Sequence, residues 1–144
     1  MILNETQTAI QETVRDFAQE RIRPYSAAFE AAKGYPRELF EEVAALGLMG
    51  MTAPERLGGA GADYVSYALA LIEIAAADGA LSTIISIQNS LIVSGLIKDG
   101  SAEQQARFLP DLIAGRMLGA FALTETDAGS DAACPSLCST LSTW

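Results

Sequence analysis

Apolar residues recur at three- and four-residue spacing near the start of the chain and predict amphipathic helices there. The first stretch follows Asn4, a suitable N-cap, and ends near Ile22. Pro24 and Pro36 each stand where a new helix can begin, because the first helical turn does not need the amide that proline lacks. The apolar positions are Ile10, Val14, Phe17, Ala18 and Ile22, then Leu39, Val43 and Leu46. Three helices are therefore predicted before Gly47.

The next stretch, LMGMTAPERLGGAGA, is rich in glycine and contains Pro54, which predicts an irregular loop. A glycine-rich run before a helix can bind phosphate through its backbone amides. GGAG, however, lacks the GxGxxG spacing, a P-loop lysine and a clear preceding strand. A connecting loop is the better interpretation, with Asp63 as the N-cap of the helix that follows.

The stretch from Tyr64 to Ile97 is nearly all apolar, with an interruption at Asp78 and Gly79, and it predicts two helices packed deep inside a bundle. No charged residue occurs between Asp78 and Lys98, so a membrane span is the competing interpretation. Seven polar side chains would be costly in lipid, which favours a buried helix and no membrane contact. They are Ser82, Thr83, Ser86, Gln88, Asn89, Ser90 and Ser94.

Three of these residues, Gln88, Asn89 and Ser90, form a polar cluster within the apolar stretch. They could contact a ligand. Buried polar groups more often bond to each other or to nearby backbone, so we favour a structural role for the cluster.

The last helical pattern begins at Ser101, which forms a capping box with Gln104. Phe108, Leu109, Leu112 and Ile113 supply its apolar face, and Gly115 ends it. The run from Met117 to Leu123 is short and apolar and is consistent with a buried strand, although periodicity alone does not distinguish it from helix. A change from helix to strand here would mark a domain junction.

Composition narrows the possible functions of these 144 residues, half of which are apolar. One compact domain is the default for such a length. The net charge of -9 would repel a phosphate backbone, so nucleic acid is not an expected partner. The chain has no histidine, which excludes Ser-His-Asp, Cys-His and zinc-histidine chemistry.

Both cysteines, Cys134 and Cys138, stand near the end of the sequence, and the rest of it is free of cysteine. This usage indicates no disulfide framework and suits a reducing cytoplasm. A metal site would need two further ligands, so none is expected there. The first residues, MILNETQTAIQ, resemble neither a secretory signal nor a presequence, which predicts a soluble cytoplasmic protein.

The segment Phe121 to Asp131, FALTETDAGSD, carries the candidate chemistry, because its polar turn combines hydroxyls, carboxylates and a glycine that lets backbone approach a ligand. With the helices before it, the chain resembles the N-terminal part of the acyl-CoA dehydrogenase family from about Leu3 to Ala132. The resemblance rests on the helical order, on GLMGMTAPERLGGAGADY, on SIQNSLIVSGLIKDGSAEQQARFLPDLIAGRMLGAFALTE and on DAGSD. The stretch SIQNSL is most similar in sequence to short-chain and branched-chain members of the family.

The resemblance implies a mainly α fold, the N-terminal helical-bundle domain of the acyl-CoA dehydrogenase fold followed by the first strand of its β-domain, truncated. Residues 1–116 would form the helical domain, and 117–133 the start of the middle β-domain with the flavin strand and turn. Residues 134–144, CPSLCSTLSTW, depart from the family pattern and are expected to be an aberrant or disordered tail. A frameshift is favoured over a deliberate truncation.

The resemblance also implies an FAD site. Three residues would line the isoalloxazine ring, the next would hydrogen-bond to its polar edge, and the last two would lie near the pyrophosphate. In that order they are Phe121, Ala122 and Leu123, then Thr124, then Gly129 and Ser130. The alternative is that FALTE is only a core strand followed by an ordinary turn.

Four residues are implied as contacts to an acyl-CoA substrate. Ser130 would reach the bound thioester, and Leu81, Ser82 and Ile85 would line the pocket for the acyl tail. The family reaction is α,β-dehydrogenation, in which a glutamate removes a proton and hydride passes to flavin N5. That glutamate belongs to a part of the family's sequence beyond the stretch that this chain matches, and Glu125 corresponds to a structural member of the turn. No catalytic residue and no metal are therefore assigned.

The family acts with an electron-transferring flavoprotein and forms homo-oligomers, so both are implied partners. Alone, this chain is expected to be inactive, to bind FAD weakly and to expose apolar surface that favours aggregation. The alternative function is a stand-alone helical module that binds a protein partner or acyl-CoA without catalysis.

Overall fold

The computed structural model of the protein describes residues 2–125 and 129–130, and within those ranges the chain is helical with no residue in a β-strand. The α-helices there are α1 (Glu5–Phe17), α2 (Ser26–Ala32), α3 (Arg37–Ala45), α4 (Tyr64–Ala77), α5 (Gly79–Ile87), α6 (Ser94–Asp99) and α7 (Ala102–Ile113). Two π-helical turns extend α1 and join α5 to α6, and three short 3₁₀ turns lie between helices. These turns are Ala18–Ile22, Gln88–Val93, Arg23–Tyr25, Leu48–Gly50 and Glu55–Leu57.

The helix starts lie where the capping residues predict them. The Gln7 amide donates to Asn4 Oδ1 at 2.8 Å before α1. The Gln104 amide donates to Ser101 Oγ at 3.2 Å before α7. Asp63 caps α4 by accepting from backbone amides of its first turn. Because an N-cap satisfies amides that have no partner inside the helix, each of these side chains determines locally where its helix begins.

Two apolar clusters form the core of the bundle. The larger joins α1, α3, α4 and α5, and its fully buried members include Ile22, Val43, Met49, Ile74 and Leu81. The smaller packs α7 against the turn between α5 and α6 through Ala53, Val93, Leu109 and Leu112. Burying one such aliphatic side chain contributes about 1.5 to 3 kcal/mol, so apolar packing dominates the stability of the bundle.

A buried carboxylate ties α1 to α4. Glu73 is 7% exposed and accepts hydrogen bonds from Arg15 Nε at 3.0 Å and Arg15 Nη2 at 2.8 Å. Gln11 Nε2 donates to the same carboxylate at 2.7 Å. The bond and charge of the Arg15 guanidinium, with Gln11, hold the pKa of Glu73 below its ordinary value, although burial opposes them.

The apolar stretch from Tyr64 to Ile97 is less deeply buried than its composition predicts. Tyr64 is 76% exposed and Ile72 is 59% exposed, and both lie on an open side of α4. Composition shows only that a helix can be buried all round, whereas the packing of neighbouring elements determines which sides are covered. The described part of the chain leaves this side of α4 uncovered.

One helical stretch of the described residues, Gly79–Asp99, is long and apolar enough to cross a membrane by length and composition. Its inward side carries Gln88 and Asn89, each 1% exposed, and both bond to backbone of other segments. This arrangement matches the interpretation of the polar cluster as structural. Ser90 is exposed, and its hydroxyl donates to Ser86 O at 2.7 Å within the same helix.

Candidate functional site

The segment from 117 to 125 leaves the bundle at the end of α7. Gly115 has φ of +70°, a left-handed conformation that glycine adopts without strain. A Cβ there would lie 2.6 Å from Phe40 O, so the turn also needs the missing side chain. Arg116 Nε donates to Asp111 Oδ1 at 2.8 Å and holds the turn against the helix that it leaves.

A buried amide then attaches this segment to the helix α5–α6. Gln88 Nε2 donates to Leu112 O at 2.9 Å and to Met117 O at 3.1 Å. Gln88 Oε1 accepts from the Gly119 amide at 3.0 Å. One side chain thereby bonds to the end of α7 and to the first residues of the segment.

Gly119 also brings the segment into close contact with Ile92 on the turn between α5 and α6. A Cβ at Gly119 would lie 2.6 Å from Ile92 Cγ1, closer than carbon atoms approach without displacement. The absence of a side chain therefore permits the backbone to approach the helix. Leu91, Ile92 and Ala120 are among the residues that line a shallow groove of about 400 Å³ beside this contact.

Beyond Gly119 the segment is apolar and exposed. Phe121 is 58% exposed and Leu123 is 50% exposed, next to the similarly exposed Met117 and Leu118. Leu91, on the neighbouring helix, is 46% exposed. Exposed apolar residues that lie together indicate a surface for binding a ligand or another polypeptide.

The predicted cofactor residues lie in this exposed segment and just after it. Phe121, Ala122, Leu123 and Thr124 are all exposed, as are Gly129 and Ser130. Residues 126–128, which separate the two groups, lie outside the described residues. The six predicted residues are thus accessible to a ligand.

The strand predicted within 117–123 is not formed, and this segment has no regular secondary structure. The prediction that it would be buried is also wrong for Phe121 and Leu123. A strand needs a second strand for its hydrogen bonds, and none occurs in 2–125 or 129–130.

The residues predicted to line an acyl pocket lie on the inward side of α5. Leu81 is 0% exposed and Ile85 is 1% exposed, and both belong to the larger apolar cluster. Ser82 is also buried, and its hydroxyl donates to Leu71 O at 3.1 Å. These three side chains are buried in the bundle, whereas Phe121 and Leu123 are exposed, and the predicted contact of the three with an acyl tail does not fit their burial.

The accessible side of α5 and of the π-helical turn that follows it carries other residues. Thr83 and Ser90 are exposed, and Ile87 is half-buried between them. Their spacing of four and three residues places them on one side of the helix. The sequence pattern does not single them out as a ligand surface, because α5 is apolar on nearly every side and periodicity does not show which side faces inward.

A second buried amide, Asn89, holds the loop that follows α3. Its Oδ1 accepts from the Met51 amide at 2.7 Å, and its Nδ2 donates to Leu48 O at 2.7 Å and to Ile85 O at 2.9 Å. Adjacent buried amides in one turn therefore serve different segments, Gln88 the exit from α7 and Asn89 the loop after α3.

Asp78 forms a third buried polar cluster, at the start of α5. Its carboxylate accepts from Ser26 Oγ at 2.7 Å, Tyr35 OH at 2.8 Å and the Leu81 amide at 2.9 Å. Burial alone would raise the pKa of Asp78, but the bonds from Leu81, Ser26 and Tyr35 hold it below its ordinary value. Burial and the bond to Asp78 raise the pKa of Tyr35 to about 12. Both pKa shifts favour a neutral Tyr35 hydroxyl that donates and a charged Asp78 carboxylate that accepts.

The described residues contain no group of three or more cysteine, aspartate, glutamate or histidine side chains that could hold a metal ion. Cys134 and Cys138 lie outside the described residues, as does the expected tail 134–144.

These observations define a class of structure, a helical bundle whose last helix, α7, is followed by an exposed apolar segment. Residues 4–116 match the family model described as acyl-CoA dehydrogenase, N-terminal domain. The chain belongs to the acyl-CoA dehydrogenase family.

Curated relatives agree with this assignment. An acyl-CoA dehydrogenase of Bacillus subtilis is 40% identical over 132 residues, which cover 92% of this chain and 35% of the relative. The mitochondrial short-chain specific acyl-CoA dehydrogenase of Mus musculus is 38% identical over 130 residues, covering 90% of this chain and 32% of the relative. The chain thus spans about a third of the length of the relatives that it matches.

Solved structures show the same correspondence. Glutaryl-CoA dehydrogenase from Mycobacterium smegmatis is 39% identical with a TM-score of 0.86, covering 92% of this chain and 34% of that one. A structure of that enzyme in complex with FADH2 gives a TM-score of 0.84, covering 91% of this chain and 34% of that one. A structure of the electron transferring flavoprotein of Acidaminococcus fermentans also contains a similar chain, 32% identical with a TM-score of 0.85, covering 92% and 35%.

Proposed function

We propose that this chain provides one side of the flavin site in an FAD-dependent acyl-CoA dehydrogenase, an enzyme that removes hydrogen from the α and β carbons of an acyl-CoA thioester. The observation that carries the proposal is the exposed apolar segment 117–123, attached by Gln88 to a bundle of this family. FAD, when bound, would supply the acceptor for the hydride.

The residues of the segment fit such a group. Phe121 and Leu123 offer exposed apolar side chains to a planar ring. Thr124 follows them and offers a hydroxyl and a backbone amide to the polar edge of the ring. No charged residue stands between Met117 and Thr124, so the ring would meet no carboxylate there. Gly129 and Ser130 are proposed as pyrophosphate contacts, with Ser130 also reaching the thioester.

The acyl chain of the substrate is proposed to lie along the accessible side of α5. Thr83, Ile87 and Leu91 follow one another at four-residue spacing, and Leu91 borders the groove beside Ala120. A mixed surface of this kind would exclude water from an acyl chain without offering a charge. Leu81, Ser82 and Ile85 would support this surface from behind rather than touch the substrate.

We further propose that the chain is not active by itself. Its site residues are exposed, whereas dehydrogenation needs a site closed to water, and the chain spans about a third of its relatives. An electron-transferring flavoprotein and further copies of the enzyme are proposed partners of the whole protein. The similarity to a chain in the Acidaminococcus fermentans structure supports the first of these.

Titration of the chain with FAD, followed by flavin fluorescence anisotropy, tests the cofactor site. If half of a nanomolar binding energy survives, the dissociation constant is about tens of micromolar. Phe121→Asp should weaken binding about tenfold or more, because a charge would replace the apolar contact with the ring. Ile72→Asp is the matched control, since Ile72 is 59% exposed but lies on α4. Equal affinities for the two variants would contradict the proposed site.

A chimera tests the activity. Residues 4–125 would replace the corresponding part of the Mycobacterium smegmatis enzyme, to which the chain is 39% identical. The purified chimera should be yellow, and its flavin absorbance should bleach when acyl-CoA is added. A folded chimera without flavin, while the parent enzyme retains it, would refute the proposal.

A second candidate is a helical module that binds another protein without catalysis. The exposed Tyr64 and Ile72 favour it, because they leave apolar side chains accessible on α4, an element separate from segment 117–123. Saturable binding of a protein partner that is lost in Ile72→Asp, with no measurable FAD affinity, would support this candidate over the flavin site.

A further inference from the structure

We propose that Gln88 is a positioning residue of the flavin site, which determines where segment 117–123 lies on the helix α5–α6. This inference rests on the proposed function for its consequence, which is FAD affinity. The placement of the segment itself follows from contacts within the chain.

The hydrogen bonds of Gln88 span the point where the segment leaves the bundle. Nε2 donates to Leu112 O at 2.9 Å, in the last turn of α7, and to Met117 O at 3.1 Å, just beyond it. Oε1 accepts from the Gly119 amide at 3.0 Å. The Gln88 side chain thus bonds to three backbone groups between Leu112 and Gly119, beside the bond from the Met117 amide to Asp111 O at 3.1 Å.

The side chain is itself held firmly. Gln88 is 1% exposed, so its side chain is shielded from water like the side chains of the apolar core. Buried hydrogen bonds of this kind leave an unsatisfied group when either partner is removed, which makes the arrangement strongly preferred over alternatives. Ile92, one turn further on, lies so close to Gly119 that a Cβ at that position would have to displace the segment or the Ile92 side chain.

The chemistry of the contact requires an amide. One atom must accept from an amide and the other must donate to two carbonyl oxygens, and at this length only glutamine offers both. Glutamate would retain the acceptor for the Gly119 amide. When ionised, however, its second oxygen could not donate and would face Leu112 O and Met117 O as one acceptor against two others. Methionine has a similar length but offers no donor, and its sulfur is only a weak acceptor.

Gln88 begins a π-helical turn, Gln88–Val93. Such turns contain one more residue than an α-helical turn and are frequent at functional sites. Gln88 and Asn89 are adjacent in this turn and both are buried, yet they bond to different segments. Asn89 therefore provides a control with the same chemistry and a different target.

The test uses the complete chain and two readouts. Amide hydrogen exchange by NMR gives the protection factor of Gly119, and titration with FAD gives the dissociation constant. Gln88→Met should lower the protection of Gly119 about tenfold or more and weaken FAD binding by a similar factor. Asn89→Leu removes as many buried hydrogen bonds. It should nevertheless lower the protection factor of Gly119 no more than those of the other amides in the same variant.

Gln88→Glu adds a pH dependence that a merely structural role would not produce. Burial favours the neutral acid, which can donate to one of the two carbonyls, so protection of Gly119 should be higher at pH 5.5 than at pH 8 after correction for intrinsic exchange. Wild-type protection should not differ between these pH values. This variant also decides the matter if Gln88→Met does not fold.

Equal loss of Gly119 protection in Gln88→Met and Asn89→Leu, or a pH-independent Gln88→Glu, would overturn the proposal. Undiminished FAD affinity in a folded Gln88→Met would do the same. If the wild-type chain binds no FAD, the proposed function fails for this chain, and the exchange data still decide whether Gln88 holds the segment.

Discussion

The bundle and the segment that leaves it are held in different ways. In the bundle, buried carboxylates each bond to several partners that are distant in sequence, as Glu73 of α4 does with Arg15 and Gln11 of α1. The segment 117–123 is attached mainly through Gln88, and its own side chains point into solvent. The bundle thus satisfies its polar groups internally, while the segment offers apolar surface to another molecule. A stable scaffold with an open site is the expected result of this division.

The largest expected effect comes from breaking the bundle at Asp78. Asp78→Ala removes a charged acceptor from Ser26, Tyr35 and the Leu81 amide together, and bonds to charged groups contribute about 1.5 to 3 kcal/mol each. Because such effects are not additive, we expect a loss of about 3 to 5 kcal/mol in the free energy of unfolding. Urea denaturation followed by circular dichroism at pH 7 measures it.

Asp99→Ala is the control for this experiment. Asp99 ends α6 and is exposed, so its removal should change the free energy of unfolding by less than about 0.5 kcal/mol. If Asp78→Ala were no more destabilising than Asp99→Ala, the Asp78 cluster would not stabilise the bundle.

The difference between bundle and segment also explains which features the sequence predicts. The caps Asn4, Asp63 and Ser101 act on amides within the next few residues, so local sequence is enough to locate the helix starts. The helix break at Asp78 follows in the same way, because Asp78 caps α5. The exposure of Phe121 could not be predicted from its neighbours in the sequence, because an apolar residue there is equally consistent with a buried position in the core.

Features that depend on distant partners are not predictable from the local pattern. Gln88 and Gly119 are 31 positions apart, and nothing in either neighbourhood indicates the other. The contact of Leu81 and Ile85 with an acyl tail is implied by the family resemblance, whereas their burial on the inward side of α5 depends on neighbouring elements that the local pattern does not describe. The strand prediction fails for a related reason, because pairing is a property of two segments and the pattern describes one.

Glu73 provides a smaller perturbation of the bundle with a defined pH dependence. Glu73→Gln should cost about 2 kcal/mol at pH 7, through weaker bonds to Arg15 and Gln11. The Arg15 bond holds the pKa of Glu73 below its ordinary 4.5. The carboxylate therefore stabilises the fold fully above pH 4.5, and this contribution is lost as pH falls through the lower pKa of the folded state. The difference between wild type and variant should accordingly shrink below pH 4.5.

Urea denaturation between pH 7 and pH 3 measures this difference, with Glu41→Gln as the control. Glu41 is exposed on α3, and its substitution should change the free energy of unfolding at pH 7 by less than about 0.5 kcal/mol. A difference between wild type and Glu73→Gln that stays constant down to pH 3 would show that the charge of Glu73 is not what stabilises α1 against α4.

The smallest expected effect concerns the contact between Gly119 of the segment and Ile92 of the bundle. Gly119→Ala places a Cβ against Ile92 and should cost about 1 kcal/mol of unfolding free energy, because the segment must move away from the helix. Ile92→Ala removes Cγ1 and Cγ2, the two nearest atoms that the Cβ meets, so in the double variant the cost of Gly119→Ala should largely disappear. Gly95→Ala is the matched control, since a Cβ there meets no atom within 4 Å and alanine favours helix. Costs for Gly119→Ala and Ile92→Ala that simply add would mean that the backbone of the segment does not rest on Ile92, and the hydrogen bonds to Gln88 would then be its main attachment to the helix α5–α6.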